Sequence, residues 1–200
     1  TPDSEPAPKA VPLSNRIDIT TASYVAKALT LRQGARLLVM LPPFHSSVLF
    51  ERLVFLAASG HAADYHPIPT VRGALVRMAR YFKPALLGAT PTFLEAMLQK
   101  ADADEFASLR YAFVGAEKCP DRVYRLFAEK CPAGSLCEGY GITECSPVVA
   151  VNRPGDVLAG SIGRVLPSVR AAVVVDEGGE GKDTGSSRKA ATNETGMLLV

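Results

Sequence analysis

Residues 111–144, YAFVGAEKCPDRVYRLFAEKCPAGSLCEGYGITE, hold two short apolar runs with one helical period between them. YAFVG (111–115) reads as a strand ending at a glycine. In PDRVYRLFAEKC the residues Val123, Leu126, Phe127 and Cys131 share one helical face, and a second strand follows at Ser135 to Glu138. Strand, crossover helix and strand form the unit from which parallel sheets are built. The second strand runs into GYGITE (139–144), where a hydroxyl and a carboxylate stand side by side on a glycine-flanked turn before the next apolar run, VVAV.

The same alternation extends toward the N-terminus. RLLVML (36–41) precedes a helix candidate, SSVLFERLVFLAAS, and ALLG (85–88) precedes TPTFLEAMLQK. Between them Val71, Ala74, Leu75, Met78, Ala79 and Phe82 recur at helical spacing while Arg72, Arg77, Arg80 and Lys83 take other positions, which predicts an amphipathic helix. Thr70 is its cap candidate; Thr90 caps the next helix, with Pro91 at the first helical position where a missing N–H costs nothing. The fold class is α/β, a mostly parallel sheet with crossover helices.

After Pro154 the pattern changes. GSIGRVLPSVRAAVVVD and GMLLV are β-branched runs without helical periodicity, so residues 1–159 are expected to form the α/β part and 160–200 to begin a small strand-rich subdomain. Residues 176–194 are Gly, Ser, Thr and charge with only Ala190 and Ala191 apolar, which predicts a mobile loop. GMLLV reads as a strand whose partner the sequence does not identify. No internal repeat is present.

Composition narrows the classes. The 200 residues are 48% hydrophobic and 21% charged, ordinary for a globular unit that buries a core without disulfides or a structural metal. With 22 basic against 20 acidic side chains the net charge is +2, and no Lys/Arg block interleaved with aromatics stands out, so nucleic acid is not the expected partner. No uncharged run reaches the roughly 18 residues of a spanning helix. The chain opens on Thr1 with no secretory signal, and a piece starting inside a longer protein is expected. Cys119, Cys131, Cys137 and Cys145 form no C-x-x-C pair, which argues against zinc and for partly buried cytosolic thiols.

In open parallel sheets, ligands bind in the crevice outside the carboxyl ends of the strands. Three polar stretches fall there: PPFHSS after RLLVML, GAEK after YAFV, and GYGITE. Gly139 and Gly141 let the backbone approach a ligand, the Thr143 hydroxyl can donate to phosphate, and the Glu144 carboxylate is a hard oxygen ligand for Mg²⁺. Read alone, the Thr–Glu pair fits a helix cap or a solvated loop as well. His45 alone reads as a satisfied histidine at a strand end, Gly115 as a strand-ending turn residue that also admits a flat base, and His61 and His66 as structural or surface residues.

GYGITE followed by CSPVVAVNRPGD and GSIGRVLP, with GAEK, LPPFHS and GATPTFLEAML upstream, resembles the acyl-adenylate-forming (AMP-binding) superfamily, and these motifs in order span most of the chain. The wording of DYHPIPT, GAEKCP and EGYGITECSPVVAVN is most similar to bacterial acyl-acyl carrier protein synthetases of the 2-acylglycerophosphoethanolamine acyltransferase type. The resemblance implies the partial N-terminal domain of an adenylate-forming enzyme, with ATP and Mg²⁺ activating a fatty acid. The acceptor would be acyl carrier protein, coenzyme A or a lysophospholipid, in the cytoplasm or on the inner membrane face. By the same resemblance Thr143 contacts phosphate, Glu144 helps hold Mg²⁺, Tyr140 packs on adenine beside Gly139 and Gly141, Gly115, Ala116 and Glu117 border the nucleotide and acyl pocket, and His45 lies near the reacting carboxylate. Val48, Phe50, Phe93 and Val114 are candidate acyl-chain walls or core.

The resemblance is imperfect at the N-terminus. Where the family carries a Gly- and Ser-rich phosphate loop, this chain has TPDSEPAPKA: Thr1, Ser4, Pro8 and Lys9 match, while Pro2, Asp3 and Pro6 replace Ser or Gly. Proline removes N–H donors and an aspartate repels phosphate, so this remnant should cradle pyrophosphate poorly. Lys9 reads equally as the loop lysine or as a solvated charge beside Asp3 and Glu5. A ribose-binding aspartate and a lysine-bearing C-terminal domain would lie beyond Val200, together with a large segment before Thr1. The expected protein is the central part of an acyl-activating ligase, inactive alone; the alternative is a non-catalytic acyl-, nucleotide- or protein-binding module on the same fold.

Overall fold

Leu37, Leu38, Val39 and Met40 are all buried, as the continuous apolar run of a strand covered on both faces requires. The structure, a computed structural model, describes residues 10–29, 32–40, 45–46, 56–66, 72–102, 104–176 and 187–200. In chain order the elements are α1 (Asn15–Ala28), β1 (Arg36–Val39), α2 (Leu56–Ser59), β2 (Ala62–Tyr65), α3 (Arg72–Phe82), β3 (Leu86–Ala89), α4 (Pro91–Leu98), β4 (Tyr111–Val114), α5 (Asp121–Lys130) and β5 (Ser135–Gly141). A one-turn 3₁₀ helix (Thr143–Cys145) follows, then β6 (Val148–Val151), β7 (Arg164–Val165), β8 (Ala172–Asp176), β9 (Ser187–Lys189) and β10 (Met197–Leu199). Thr1, Ser4, Lys9, Val48, Phe50, Thr70 and Val71 lie outside the described residues.

The large sheet has seven strands in the order β2-β1-β3-β4-β5-β6-β7. From β2 to β5 the pairing is parallel, with Val114 opposite Glu138 at the β4/β5 end; β6 and β7 then add antiparallel. Leu38, Leu87, Ala112 and Leu136 meet Leu75, Ala79, Leu94, Val123 and Phe127 of helices α3 to α5 in one core, and Ala22, Leu37, Val39 and Leu86 form a second cluster on the α1 side. Thr90 caps α4, accepting from the Phe93 N–H at 3.3 Å with Pro91 at the first helical position, as its sequence predicts. Among the described residues no helix is long and apolar enough to cross a membrane.

Four expectations need correction. Gly139, Tyr140 and Gly141 belong to β5 rather than to a turn, because β6 supplies an antiparallel partner on the edge away from β4, with a register shift between Tyr140 and Gly141. Arg164–Val165 pairs with β6 and closes the large sheet, so the separate three-stranded sheet, order β10-β8-β9, starts at Ala172 rather than near Gly160. Of the stretch expected to be a mobile loop, 176–194, residues 177–186 lie outside the described residues, Asp176 ends β8, and strand β9 and a turn occupy 187–194. β9 is exposed along its length, yet it pairs with β8 and is fastened where Arg188 grips Glu194 at 2.8 Å through Nη1. GMLLV has its partner within the chain: β10 pairs antiparallel with β8, Leu198 opposite Val173.

Candidate functional site

The carboxyl ends of β1, β3, β4 and β5 deliver four groups of residues to one edge of the sheet. Past β1 stand His45 and Ser46, both half-buried. Past β3 comes Thr90 to Thr92, past β4 the loop Gly115 to Cys119, and past Gly141 the turn Ile142 to Ser146. The Ser46 hydroxyl lies 3.0 Å from the Thr143 hydroxyl across 97 residues of sequence, so the FHS and GYGITE segments meet. Thr143 itself is exposed.

The Gly115 loop is pinned at two points. Glu117 accepts from the Thr92 N–H at 3.1 Å and from the Thr92 hydroxyl at 2.9 Å. Burial pulls the Glu117 carboxyl up, but hydrogen bonds from the Thr92 and Thr90 side chains and the Thr92 amide outweigh it and leave it below the ordinary glutamate value. Farther along, the Cys119 N–H donates to Glu138 Oε1 at 3.1 Å, and the Tyr124 hydroxyl donates to Glu138 Oε2 at 3.0 Å. Glu138 is only 4% exposed, at the point where β5 leaves β4. Burial first, then the Glu138 and Glu117 carboxylates, push the Cys119 thiol up to about 12, and burial with Glu138 likewise holds Tyr124 well above its ordinary value.

Two backbone positions just before these pins are unusual. Ala116 has φ 69°, a left-handed conformation that costs an L-residue about 1–2 kcal/mol. A Cβ on Gly115 would stand 3.1 Å from the Gly139 carbonyl oxygen, so the chain leaving β4 passes close to β5 just beyond their last pair. Non-glycine residues held in such conformations collect at sites where surrounding contacts over-determine the backbone.

The turn bearing Thr143 and Glu144 is folded tightly back on β5. A Cβ on Gly141 would lie 1.8 Å from the Pro147 carbonyl oxygen, a contact only glycine permits. The turn ends at Ser146, which is left-handed (φ 63°) and buried, with its hydroxyl donating to the carboxylate of Asp18 on α1. Glu144 is half-buried and has no hydrogen bond or ion pair among the described residues, where no three His, Cys, Asp or Glu side chains come together as a metal cage. One open carboxylate beside an exposed hydroxyl fits Mg²⁺ carried in on a nucleotide, since that ion keeps several waters and takes one or two carboxylates along with substrate phosphates.

The edge therefore gathers His45, Gly115, Ala116, Glu117, Gly139, Tyr140, Gly141, Thr143 and Glu144; the phosphate-loop remnant Thr1, Ser4 and Lys9 lies outside the described residues. Of the candidate acyl walls, Val114 is 2% exposed within the core, and Phe93 is half-buried and packs against both core clusters. Sequence reasoning missed Ser46, Thr92, Asp18 and Glu138. An acidic residue inside the strand SLCEGYG is a signal for Glu138, because a carboxylate is almost never fully buried without partners. A groove of about 320 Å³ lined by Tyr124, Phe127, Cys131, Gly134, Leu136 and Val157 opens near the start of β5, away from this edge.

The family model described as AMP-binding enzyme matches residues 4–200. The long-chain-fatty-acid–CoA ligase of Bacillus subtilis (strain 168) is 30% identical over 203 residues, which is 97% of this chain and 34% of that protein. The mitochondrial medium-chain acyl-CoA ligase ACSF2 of Mus musculus is 36% identical over 103 residues, 49% of this chain and 17% of that protein. The chain thus spans about a third or less of the length of these relatives. Among solved structures, the inhibitor-bound N-terminal domain of FACL13 from Mycobacterium tuberculosis superposes with a TM-score of 0.75 at 26% identity, covering 94% of this chain and 46% of that one. The O-succinylbenzoate coenzyme A synthetase MenE from Bacillus subtilis, in complex with ATP and magnesium ion, shares the fold with a TM-score of 0.78 at 20% identity, over 96% of this chain and 38% of that one.

Proposed function

We propose, from the premise that this chain belongs to the AMP-binding enzyme family, that it is the central part of an ATP-dependent acyl-activating ligase acting on a fatty acid. In that reaction a carboxylate oxygen attacks the α-phosphorus of ATP, the bond to the bridging oxygen breaks and pyrophosphate leaves. A thiol then attacks the acyl carbon and AMP departs. The meeting of Ser46 and Thr143 at 3.0 Å carries the reading, because it joins two of the family-like motifs at the end of the sheet where ligands bind.

Each residue has a task in this reading. The Thr143 hydroxyl donates to a phosphate oxygen, Glu144 supplies one oxygen ligand to the nucleotide's Mg²⁺, and Tyr140 lies against the base with Gly115 to Glu117 as the facing wall. His45 stands on the carboxylate side. Held by Glu144 and the nucleotide, the cation would supply positive charge beside the phosphate oxygens. Coenzyme A is the acceptor supported by the names of the relatives; acyl carrier protein or a lysophospholipid is supported by the wording of GAEKCP and EGYGITECSPVVAVN. A work site in the cytoplasm against the inner membrane face suits a fatty-acid substrate. The isolated chain should bind without completing turnover.

A second reading, binding without catalysis, is favoured by Pro2, Asp3 and Pro6 in the first ten residues. Calorimetric titration with MgATP and, separately, with a non-hydrolysable acyl-adenylate mimic separates the two. MgATP binding that weakens in Thr143→Ala and Glu144→Ala is the outcome expected of the ligase reading. Binding of the mimic without MgATP supports the second, and binding of neither overturns both.

A further inference from the structure

The Thr143–Ser146 turn is held from two distant parts of the chain. On one side Ser46 meets Thr143; on the other the Ser146 hydroxyl donates to Asp18, 128 residues away on the first turn of α1. Ser146 is 3% exposed and left-handed (φ 63°, ψ 63°); within the turn the Cys145 N–H donates to the Ile142 carbonyl at 2.9 Å, but the Ser146 N–H reaches the Thr143 carbonyl only at 3.4 Å, so the backbone holds the Ser146 end of the turn least. The floor is equally constrained, with Pro147 seated over Gly141 where no side chain fits.

We infer that Asp18 is a positioning residue: its carboxylate, by accepting from Ser146, holds the turn in the shape that presents Thr143 and Glu144 together at the sheet edge. A carboxylate acceptor is suited to the task, because hydrogen bonds to charged groups are about twice as strong as neutral ones. The tether also couples α1, the helix that follows the N-terminal remnant, to the segment proposed to meet phosphate. That nucleotide role rests on the ligase reading; the tether itself does not.

Cys145 reports on the turn directly. It sits between Glu144 and Ser146 and is half-buried, while Cys119, Cys131 and Cys137 are buried, so its alkylation by iodoacetamide relative to the other three reads local opening apart from global unfolding. In Asp18→Ala and in Ser146→Ala, Cys145 should react roughly tenfold faster with the other three unchanged, the loss expected for a charged hydrogen bond. Asp18→Asn keeps an acceptor without the charge, and its Cys145 rate should fall between those of Asp18→Ala and the native chain. On a Ser146→Gly background, where the left-handed backbone is free of strain and the donor is gone, removing the Asp18 carboxylate should change nothing further. An unchanged Cys145 rate in Asp18→Ala, or equal acceleration of all four cysteines, overturns the inference. Calorimetry with MgATP on the same variants should show affinity reduced in proportion to the closed fraction of the turn, lower in Asp18→Ala and Ser146→Ala than in the native chain. A native chain that binds no MgATP would sink the ligase reading and leave the labelling result to decide the tether.

Discussion

Replacing Glu138 by alanine should remove more stability than any other single truncation at the sheet edge. Glu138 is 4% exposed and takes the Cys119 N–H at 3.1 Å and the Tyr124 hydroxyl at 3.0 Å. Truncation leaves both donors without an acceptor, at about 1–3 kcal/mol each. The cost lies at the upper end for Cys119, itself 1% exposed, and at the lower end for the half-buried tyrosine. Removing a charge from the interior returns part of this, leaving a net loss of about 2–4 kcal/mol. Glu138→Gln keeps an acceptor for the Cys119 amide and offers its NH₂ to the tyrosine oxygen, so it should lose about 1 kcal/mol or less. Urea titration of the chain with a matched m-value measures both variants. In a domain of this size the alanine variant should also melt roughly 4–16 °C lower. A Glu138→Ala protein within about 0.5 kcal/mol of the parent would refute the claim that this carboxylate joins the Gly115 loop, α5 and β5.

Gly141→Ala should destabilise by at least about 3 kcal/mol in the same assay, since its Cβ meets backbone of Pro147 at 1.8 Å and of Val148 at 3.1 Å and the turn must move as a body. Ala116→Gly should have the opposite sign: release of the left-handed strain outweighs the added chain entropy, for a gain of up to about 1 kcal/mol by thermal melting. In the small sheet, hydrogen bonds from Arg188, then from the Ala191 amide, lower Glu194 from 4.5 to about 2. A depressed carboxyl supports the folded state above its ordinary value and loses that contribution as pH falls toward 2. An NMR titration should show the low midpoint in the native chain and a return to the ordinary range in Arg188→Ala.

Local signals marked the elements that local chemistry decides. Thr90 with Pro91 set the start of α4, the apolar face of α5 put Val123 and Phe127 in the core, and YAFV became β4. Signals failed where structure depends on what lies opposite. Gly139 and Gly141 read as turn residues because glycine ordinarily marks one; here they are strand residues that let β5 carry β4 on one edge and β6 on the other. β9 has three exposed polar or charged residues and no alternation to detect, being defined by its partner and by Arg188 with Glu194. At the site, GYGITE and FHS were visible as motifs, but their contact was not. Ser46 with Thr143 and Asp18 with Ser146 join residues 97 and 128 apart, a separation to which no window of sequence is sensitive.

Those two long closures also bear on how the chain folds and responds. Strands β3, β4 and β5 are consecutive, so each pairing closes a loop about one helix long, whereas the turn at Thr143 is fastened only after distant segments have arrived. The sheet can stand before its edge is complete, which places the turn among the late-forming, cheaply opened parts of the molecule. A ligand that recognises only the closed turn would bind with an apparent affinity scaled by the closed fraction, and anything that shifts that fraction would tune binding without touching the ligand.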